Sequence, residues 1–367
     1  MLTQNQGIIQ LSVSQMVELL STAYSTLIQS NTPSRSFPSV MLWGPPGVGK
    51  SQGIRQIAAM IREQTGKTVC VTDVRLLLFN PVDLRGIPTA NEDRTLAVWL
   101  RPKIFQMDNS EDVINILFLD EITAAPQSVQ AAAYQITLDR TIGEHQLPEN
   151  CIVIAAGNRV TDRSVAFHMP KALANRLCHI EIKGDSAAWH DWAIRVGIHP
   201  AVIGYLDYNA SMLNGFVPAE DDIAFPTPRT WEMVSSILRN VSGNLGEVYP
   251  LIAGCVGVKT AASLQTWYEI YQHIPDVKEI FSGMADRPPE RPELLYATVA
   301  AMADYARTER PLTEFKNSIS YACKLPIEFR FRLFSDYYKM RHIRAALHDD
   351  PIFSEWIAYQ SEEGKLL

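Results

Sequence analysis

Lys50 and Ser51 close the run Gly44-Pro45-Pro46-Gly47-Val48-Gly49-Lys50-Ser51, which fits G-x-x-x-x-G-K-[ST]. These types at this spacing can hold a phosphate. Glycines let backbone N–H groups turn inward without a Cβ clash. The helix that follows, opening with Ser51 and Gln52, offers its positive N-terminal end. Lys50 is expected to reach the outer phosphates of a nucleotide, and the Ser51 hydroxyl to bind Mg²⁺. The flanks fit the motif. An apolar strand, "SVMLWG", precedes it, and Ile54, Ile57, Ala58 and Ile61 follow at helical spacing.

A second group of residues turns phosphate binding into hydrolysis. "ILFLDE" ends an apolar strand with Asp120 and Glu121, and carboxylates at the C-terminal edge of a parallel sheet lie where ligands bind. Asp120 is expected to hold Mg²⁺ with Ser51, and Glu121 to orient and polarise the attacking water. "CIVIAAGN" places Asn158 at the end of another apolar strand. Its amide can hydrogen-bond a phosphate or the water, or cap a turn. Arg176, just before the last strand, would project from the subunit edge and supply charge to a neighbour's phosphate. Arg229, after Pro228, opens a later helix from which it could fold onto the phosphates. Taken alone, either arginine reads as a surface ion pair.

The elements that must carry these residues alternate. Apolar runs at 39–44, 68–78, 114–121, 151–158 and 178–184 are separated by helix-forming stretches such as 51–64 and 126–138. That pattern predicts an α/β fold with a five-stranded parallel sheet covered on both faces. A helix over 12–29, capped by Ser12 or Ser14, precedes it. Beyond Lys183 the segments 186–197, 228–240, 261–274, 292–307 and 326–348 read as helices, with a Pro-rich connector at 283–293. The predicted division is an α/β core at 1–184, a helical lid at 185–275 and a C-terminal helical extension at 276–367. The apolar members of "FRFRLFSDYYKMRHIR" are expected in the core of that extension, with a partner-binding face as the other reading.

Composition sets outer bounds. The 367 residues are 47% hydrophobic and 20% charged, an ordinary globular balance, and the net charge of −7 argues against a protein that coats nucleic acid. The five cysteines form no Cys-x-x-Cys pair, so no zinc site or disulfide framework is expected. Those in apolar runs, Cys70, Cys151 and Cys178, read as buried free thiols. No 18-residue apolar run or signal pattern occurs, which fits a cytoplasmic protein without membrane contact.

In their order, "GPPGVGKS", "LFLDEI", "AAGN", "ALANRL" and "TPRTW" resemble the AAA+ ATPases, more narrowly the MoxR-like branch, over roughly residues 10 to 240. The resemblance implies a P-loop NTPase core of three layers, ATP and Mg²⁺ as ligands, and ATP hydrolysis. It implies Arg176 as the arginine finger, Asn158 as sensor 1 and Arg229 as sensor 2. It further implies a homo-oligomeric ring, usually hexameric, with nucleotide between neighbours, that remodels a protein client carrying a von Willebrand factor A domain. Residues 79–102 occupy the place of the branch's helix-2 insert. Residues 139–150 could form a hairpin facing the pore or a partner, or a loop lining the subunit edge. A nucleic-acid motor or loader in replication, repair or defence is the alternative. A nucleotide-gated scaffold without turnover is a third class, against which Glu121 argues.

Overall fold

The computed structural model describes residues 7–159, 169, 174–215, 223–240 and 245–362. Along the first half run β1 (Ile9–Leu11), β2 (Val40–Trp43), β3 (Thr68–Arg75), β4 (Ile87–Ala90), β5 (Ala97–Leu100), β6 (Val113–Asp120), β7 (Thr141–Ile142), β8 (His145–Gln146), β9 (Cys151–Gly157) and β10 (Cys178–Ile182). Six of these form one parallel sheet in the order β1-β10-β2-β9-β6-β3. The five expected strands are all present. The sixth, β1, is a correction: three residues pair with β10 alone, and Ile9 is exposed, so it carries little apolar signal.

Helices cover both faces, because successive strand residues point to opposite sides. On one face Val40, Leu42, Ile116, Phe118 and Ile154 pack with Met16 and Leu20 of α1 (Val13–Gln29) and with Ile54, Ile57 and Ile61 of α2 (Lys50–Thr65). On the other, Met41, Leu117, Leu119, Val153 and Ala155 pack with Val129, Ala133 and Ile136 of α4 (Gln127–Asp139); the short α3 (Pro81–Arg85) lies in the insert. Ser12 is the cap of α1: its Oγ accepts the Gln15 N–H, and the Gln15 side chain accepts the Ser12 N–H. Of the cysteines expected inside, only Cys151 is buried. Cys70 lies on the edge strand β3, which has one neighbour, and Cys178 at the first position of β10; both are exposed.

Two hairpins leave the sheet. β4 and β5 pair within the insert, and β7 and β8 pair just before β9. They clasp each other: the Trp99 N–H donates to Glu144 Oε1 at 2.8 Å, and His145 Nε2 lies 2.7 Å from the Trp99 carbonyl oxygen.

From Ser186 the chain forms a second compact unit, whose elements among the described residues are all helical. Its helices are α5 (Ser186–Val196), α6 (Pro200–Tyr208), α7 (Pro228–Asn240), α8 (Leu245–Val256), α9 (Val258–Tyr271), α10 (Val277–Ser282), α11 (Pro292–Tyr305), α12 (Leu312–Ala322), α13 (Ile327–Lys339), α14 (Arg341–Ala346) and α15 (Pro351–Glu362). One buried cluster runs through it from Trp189 to Trp356, so helices before and after residue 275 share a core. Phe329, Leu333, Phe334, Tyr337 and Ile343 from the aromatic-rich segment lie within it, and that segment bends into two helices at Met340.

A polar bolt crosses this core. His190 on α5 places Nδ1 3.0 Å from Asp207 Oδ1 on α6 and Nε2 3.0 Å from Asp336 Oδ1 on α13. Arg332 pairs with the same Asp207 carboxylate. Burial opposes the imidazolium, but the Asp336 charge and the hydrogen bonds to both carboxylates outweigh it and raise the pKa to about 10. A base whose folded pKa lies above its ordinary 6.5 contributes stability that is full below 6.5 and lost as pH rises through about 10. Chemical denaturation between pH 6 and pH 10 should show that loss. His190→Leu should remove it and cost about 3–5 kcal/mol, because the buried Asp336 carboxylate loses its cation while Asp207 keeps Arg332. An unchanged slope with pH in that variant would sink the assignment.

Candidate active site

The candidate site is built where β2, β6 and β9 end on one edge of the sheet. β2 runs out at Trp43, and the loop Gly44–Gly49 turns the chain into α2. The turn requires a left-handed residue at its close: Gly49 has φ 103° and is the N-cap of α2. The first turn of α2 then leaves N–H groups without intrahelical partners, facing the loop.

Lys50 is 8% exposed, and its ammonium finds acceptors in the loop and on Asn158. Nζ donates to the Gly44 carbonyl at 2.6 Å, the Pro45 carbonyl at 3.1 Å and Asn158 Oδ1 at 3.0 Å. The charge is thus held across the mouth of the loop. It can exchange these neutral acceptors for phosphate oxygens, with a gain in charge-assisted bonding.

Ser51 Oγ donates to Asp120 Oδ2 at 2.9 Å, while Asp120 Oδ1 accepts the backbone N–H of Glu121 at 2.9 Å. Two hard oxygens one hydrogen bond apart suit Mg²⁺, which takes one or two protein ligands and completes its shell with phosphate and water. Among the described residues no cluster of three or more His, Cys, Asp or Glu could hold a metal by itself. Ser51 and Asp120 therefore fit a cation that arrives with a nucleotide. A further carboxylate sits close by. Asp73, two residues before the Arg75 that pairs with Asp120 in register, has its pKa raised by partial burial and then by the Asp120 charge, against Arg75 and Arg55.

Glu121 has φ 58°, the left-handed region, which costs a side chain with a Cβ about 1–2 kcal/mol. Strain of this kind persists where surrounding structure dictates it. Here the dictating contacts are the bond from its N–H to Asp120 and those from Ala124 and Ala125 to its carbonyl. The result separates Asp120, turned towards Ser51, from the carboxylate of Glu121, which has no hydrogen bond or ion pair among the described residues.

Asn158 is held by a contact that sequence reasoning did not find. Thr123 Oγ1 donates to the Asn158 carbonyl and accepts the Asn158 N–H, both at 3.0 Å. The preceding Gly157 makes room, since a Cβ there would lie 2.7 Å from Thr123 Oγ1. Arg159, next along, pairs with Glu181 of β10 at 2.9 Å. The only local signal for these roles is adjacency: Thr123 follows the acidic pair, and Arg159 follows Asn158.

Arg176 is not at this site. It is exposed, in a turn that precedes β10, whereas the phosphate loop follows the last residue of the neighbouring parallel strand β2. The two stand at opposite ends of adjacent strands. Residues 170–173 of the motif around it lie outside the described residues. Arg229 is the second residue of α7 in the helical unit, and exposed. The structure brings together Lys50, Ser51, Asp120, Glu121 and Asn158. Arg176 is not among them, and Arg229 belongs to the second unit.

Residues 39–179 match the family described as "ATPase family associated with various cellular activities (AAA)". No curated protein matches the chain. Among solved structures, a putative ATPase from Cytophaga hutchinsonii is similar at 15% identity, with 83% of this chain and 84% of that one covered and a TM-score of 0.33. A point mutant of RuvB from Thermotoga maritima is similar at 16% identity, with 81% of each chain covered and a TM-score of 0.37. A DNA polymerase III gamma subunit-related protein from Thermotoga maritima stands at 8% identity, 92% and 98% coverage and a TM-score of 0.34. Likenesses at this level carry no functional weight. No helix among the described residues is long and apolar enough to cross a membrane.

The strain at Glu121 is testable by itself. Glu121→Gly should stabilise the α/β unit by about 1 kcal/mol, the left-handed penalty less the extra chain entropy of glycine. Glu121→Ala, which keeps a Cβ, should gain nothing. Equal denaturation midpoints for the two variants would contradict the account.

Proposed function

We propose that this chain, whose residues 39–179 match an AAA-type ATPase family, hydrolyses ATP and works as a ring-forming, MoxR-like remodeling ATPase of the cytoplasm on a protein client, one with a von Willebrand factor A domain. The observation that carries the catalytic part is the division of labour between Asp120 and Glu121: one carboxylate is committed to Ser51, and its neighbour, on a left-handed residue, has no hydrogen bond or ion pair among the described residues.

In this reading the loop N–H groups and Lys50 take the β- and γ-phosphates, and Ser51 and Asp120 would hold Mg²⁺, which would supply charge neutralisation to the triphosphate. Glu121 accepts a proton as water attacks the γ-phosphorus and the bond to the bridging oxygen breaks. The Asn158 amide, already within hydrogen-bond reach of Lys50, lies close enough to register whether the γ-phosphate is there. Arg176 serves the neighbouring copy. Its place before the first residue of β10 supports this, since its own phosphate loop follows the opposite end of the neighbouring strand β2. Arg229 closes on the phosphates from the helical unit, with 185–275 acting as a lid and 276–367 as an extension. The MoxR-like assignment rests on the motif order and on the hairpins at 87–100 and 141–146.

Phosphate release under multiple turnover tests this. Glu121→Gln should bind ATP and turn over about 10²–10⁴-fold more slowly. Arg176→Ala should lose about 10³–10⁵ in rate with nucleotide binding kept. Normal hydrolysis by Arg176→Ala would refute the finger. Stimulation by single-stranded DNA, but not by a von Willebrand A domain protein, would replace the remodeling assignment with the nucleic-acid motor.

A further inference from the structure

We propose that Trp43 and His179 are a positioning pair that ties the start of the phosphate loop to the turn carrying Arg176. The proposal rests on the reading of Arg176 as a finger for the neighbouring copy. Trp43 is the last residue of β2, and Gly44, whose carbonyl takes the Lys50 ammonium, comes next. The register sets His179 opposite Met41 and Glu181 opposite Trp43. Trp43 and His179 therefore share one face of the sheet as diagonal neighbours. Their ring centroids lie 5.9 Å apart with 24° between planes, the near-coplanar, edge-to-edge arrangement that an in-plane N–H···N bond requires.

The hydrogen bonds through this pair have one direction. An indole N–H can only donate. Trp43 Nε1 donates to His179 Nδ1 at 2.8 Å, so Nδ1 is the acceptor and the ring proton lies on Nε2. His179 Nε2 then donates to the Ala174 carbonyl at 2.7 Å. That same carbonyl accepts the Leu177 N–H at 3.2 Å and closes the turn around Asn175 and Arg176. Leu177 is buried against the α4 face, while Arg176 is exposed. The chain of donors thus starts beside the phosphate loop, runs back along β10 and ends on a carbonyl that closes the finger's turn.

Packing alone needs none of this. Two aromatic rings without polar atoms would fill the same place. The polar chain adds a fixed height and tilt for the turn, set from the end of β2. A finger on a long side chain depends on such a base, because a displacement of about 1 Å at the reacting centre can cost about 10²-fold. Trp43 and His179 touch no reacting atom; they act through Arg176.

Complementation between copies of the full chain tests this. Arg176→Ala copies keep an intact ATP site but offer no finger. Glu121→Gln copies offer a finger but do not hydrolyse. Each alone should be nearly inactive, and mixing them should restore phosphate release at sites where the two meet. Adding Trp43→Phe or His179→Phe to the Glu121→Gln copy should lower the restored kcat by about ten-fold or more with KM unchanged within about two-fold. Placing His179→Phe in the Arg176→Ala copy should change the rate by less than about two-fold, since that copy's turn has no finger to aim. His179→Gln, which can accept from Trp43 and donate to Ala174, should recover part of the loss and serves as the second donor variant should the phenylalanine destabilise the fold. Undiminished rescue by the Trp43→Phe and His179→Phe donors would overturn the positioning pair and leave the finger standing. So would equal losses from either side of the mixture. Absence of any restored activity in the parent mixture would overturn the finger, and this proposal with it.

Discussion

An ammonium group that is nearly out of water must be surrounded by oxygen, and the architecture around Lys50 follows from that need. Unpaired, such a charge would shift its pKa or draw in solvent. Its acceptors come from different places in the chain, among them two carbonyls of the loop that precedes it and the amide that follows β9, more than a hundred residues later. For those acceptors to converge, β2 and β9 must be neighbours in the sheet and must end together. The pairing of Trp43 with Gly157 provides this. The same edge then brings in Asp120, because β6 is the next strand along. The order of strands and the charge of one lysine are two views of one constraint.

The two carboxylates show how a small backbone cost separates roles. Were Glu121 in an ordinary extended conformation, its side chain would leave on the opposite face from that of Asp120. The left-handed residue ends the strand at that point and starts the turn to Ala125, within which Thr123 reaches Asn158. The strained residue, the acidic pair and the lock on Asn158 therefore belong to one turn, and a change at any of them is felt by the others.

Much of this site is legible in the amino-acid sequence. The phosphate loop, the acidic pair and Asn158 are readable because each is local: residue types at fixed spacing, at the end of an apolar run. The sheet is readable for the same reason. Contacts made across the fold are not. Nothing in "DEIT" says that Thr123 bonds Asn158, and nothing in "MLWG" says that Trp43 finds His179. β1 escapes notice because three residues with one apolar face look like the coil around them. Among the helices, α8 escapes because Pro250 interrupts its pattern, and α6 because it is buried all round and so shows no polar stripe. Exposure of Cys70 follows from sheet order, which no run of apolar residues reveals.

The strand β9 has a further consequence. All seven of its residues are buried, and it is laddered to β2 on one side and β6 on the other. It cannot bend or slip by part of its length without breaking bonds in a dry interior, where each would cost about 1–3 kcal/mol if left unmade. Asn158 stands at one end. The β7–β8 hairpin leads into the other, and that hairpin holds the β4–β5 hairpin by both backbone groups of Trp99. The amide that touches Lys50 and the two hairpins are thus mounted on opposite ends of a single stiff element. A displacement of Asn158 along the strand must appear at the hairpins or be absorbed in the loop 147–150, the short segment between β8 and β9. That segment is itself fastened: Leu147 N–H donates to the Arg140 carbonyl, and the Asn150 side chain donates to the carbonyls of Asp108 and Val113. With so little slack between them, the site and the hairpins are mechanically one part.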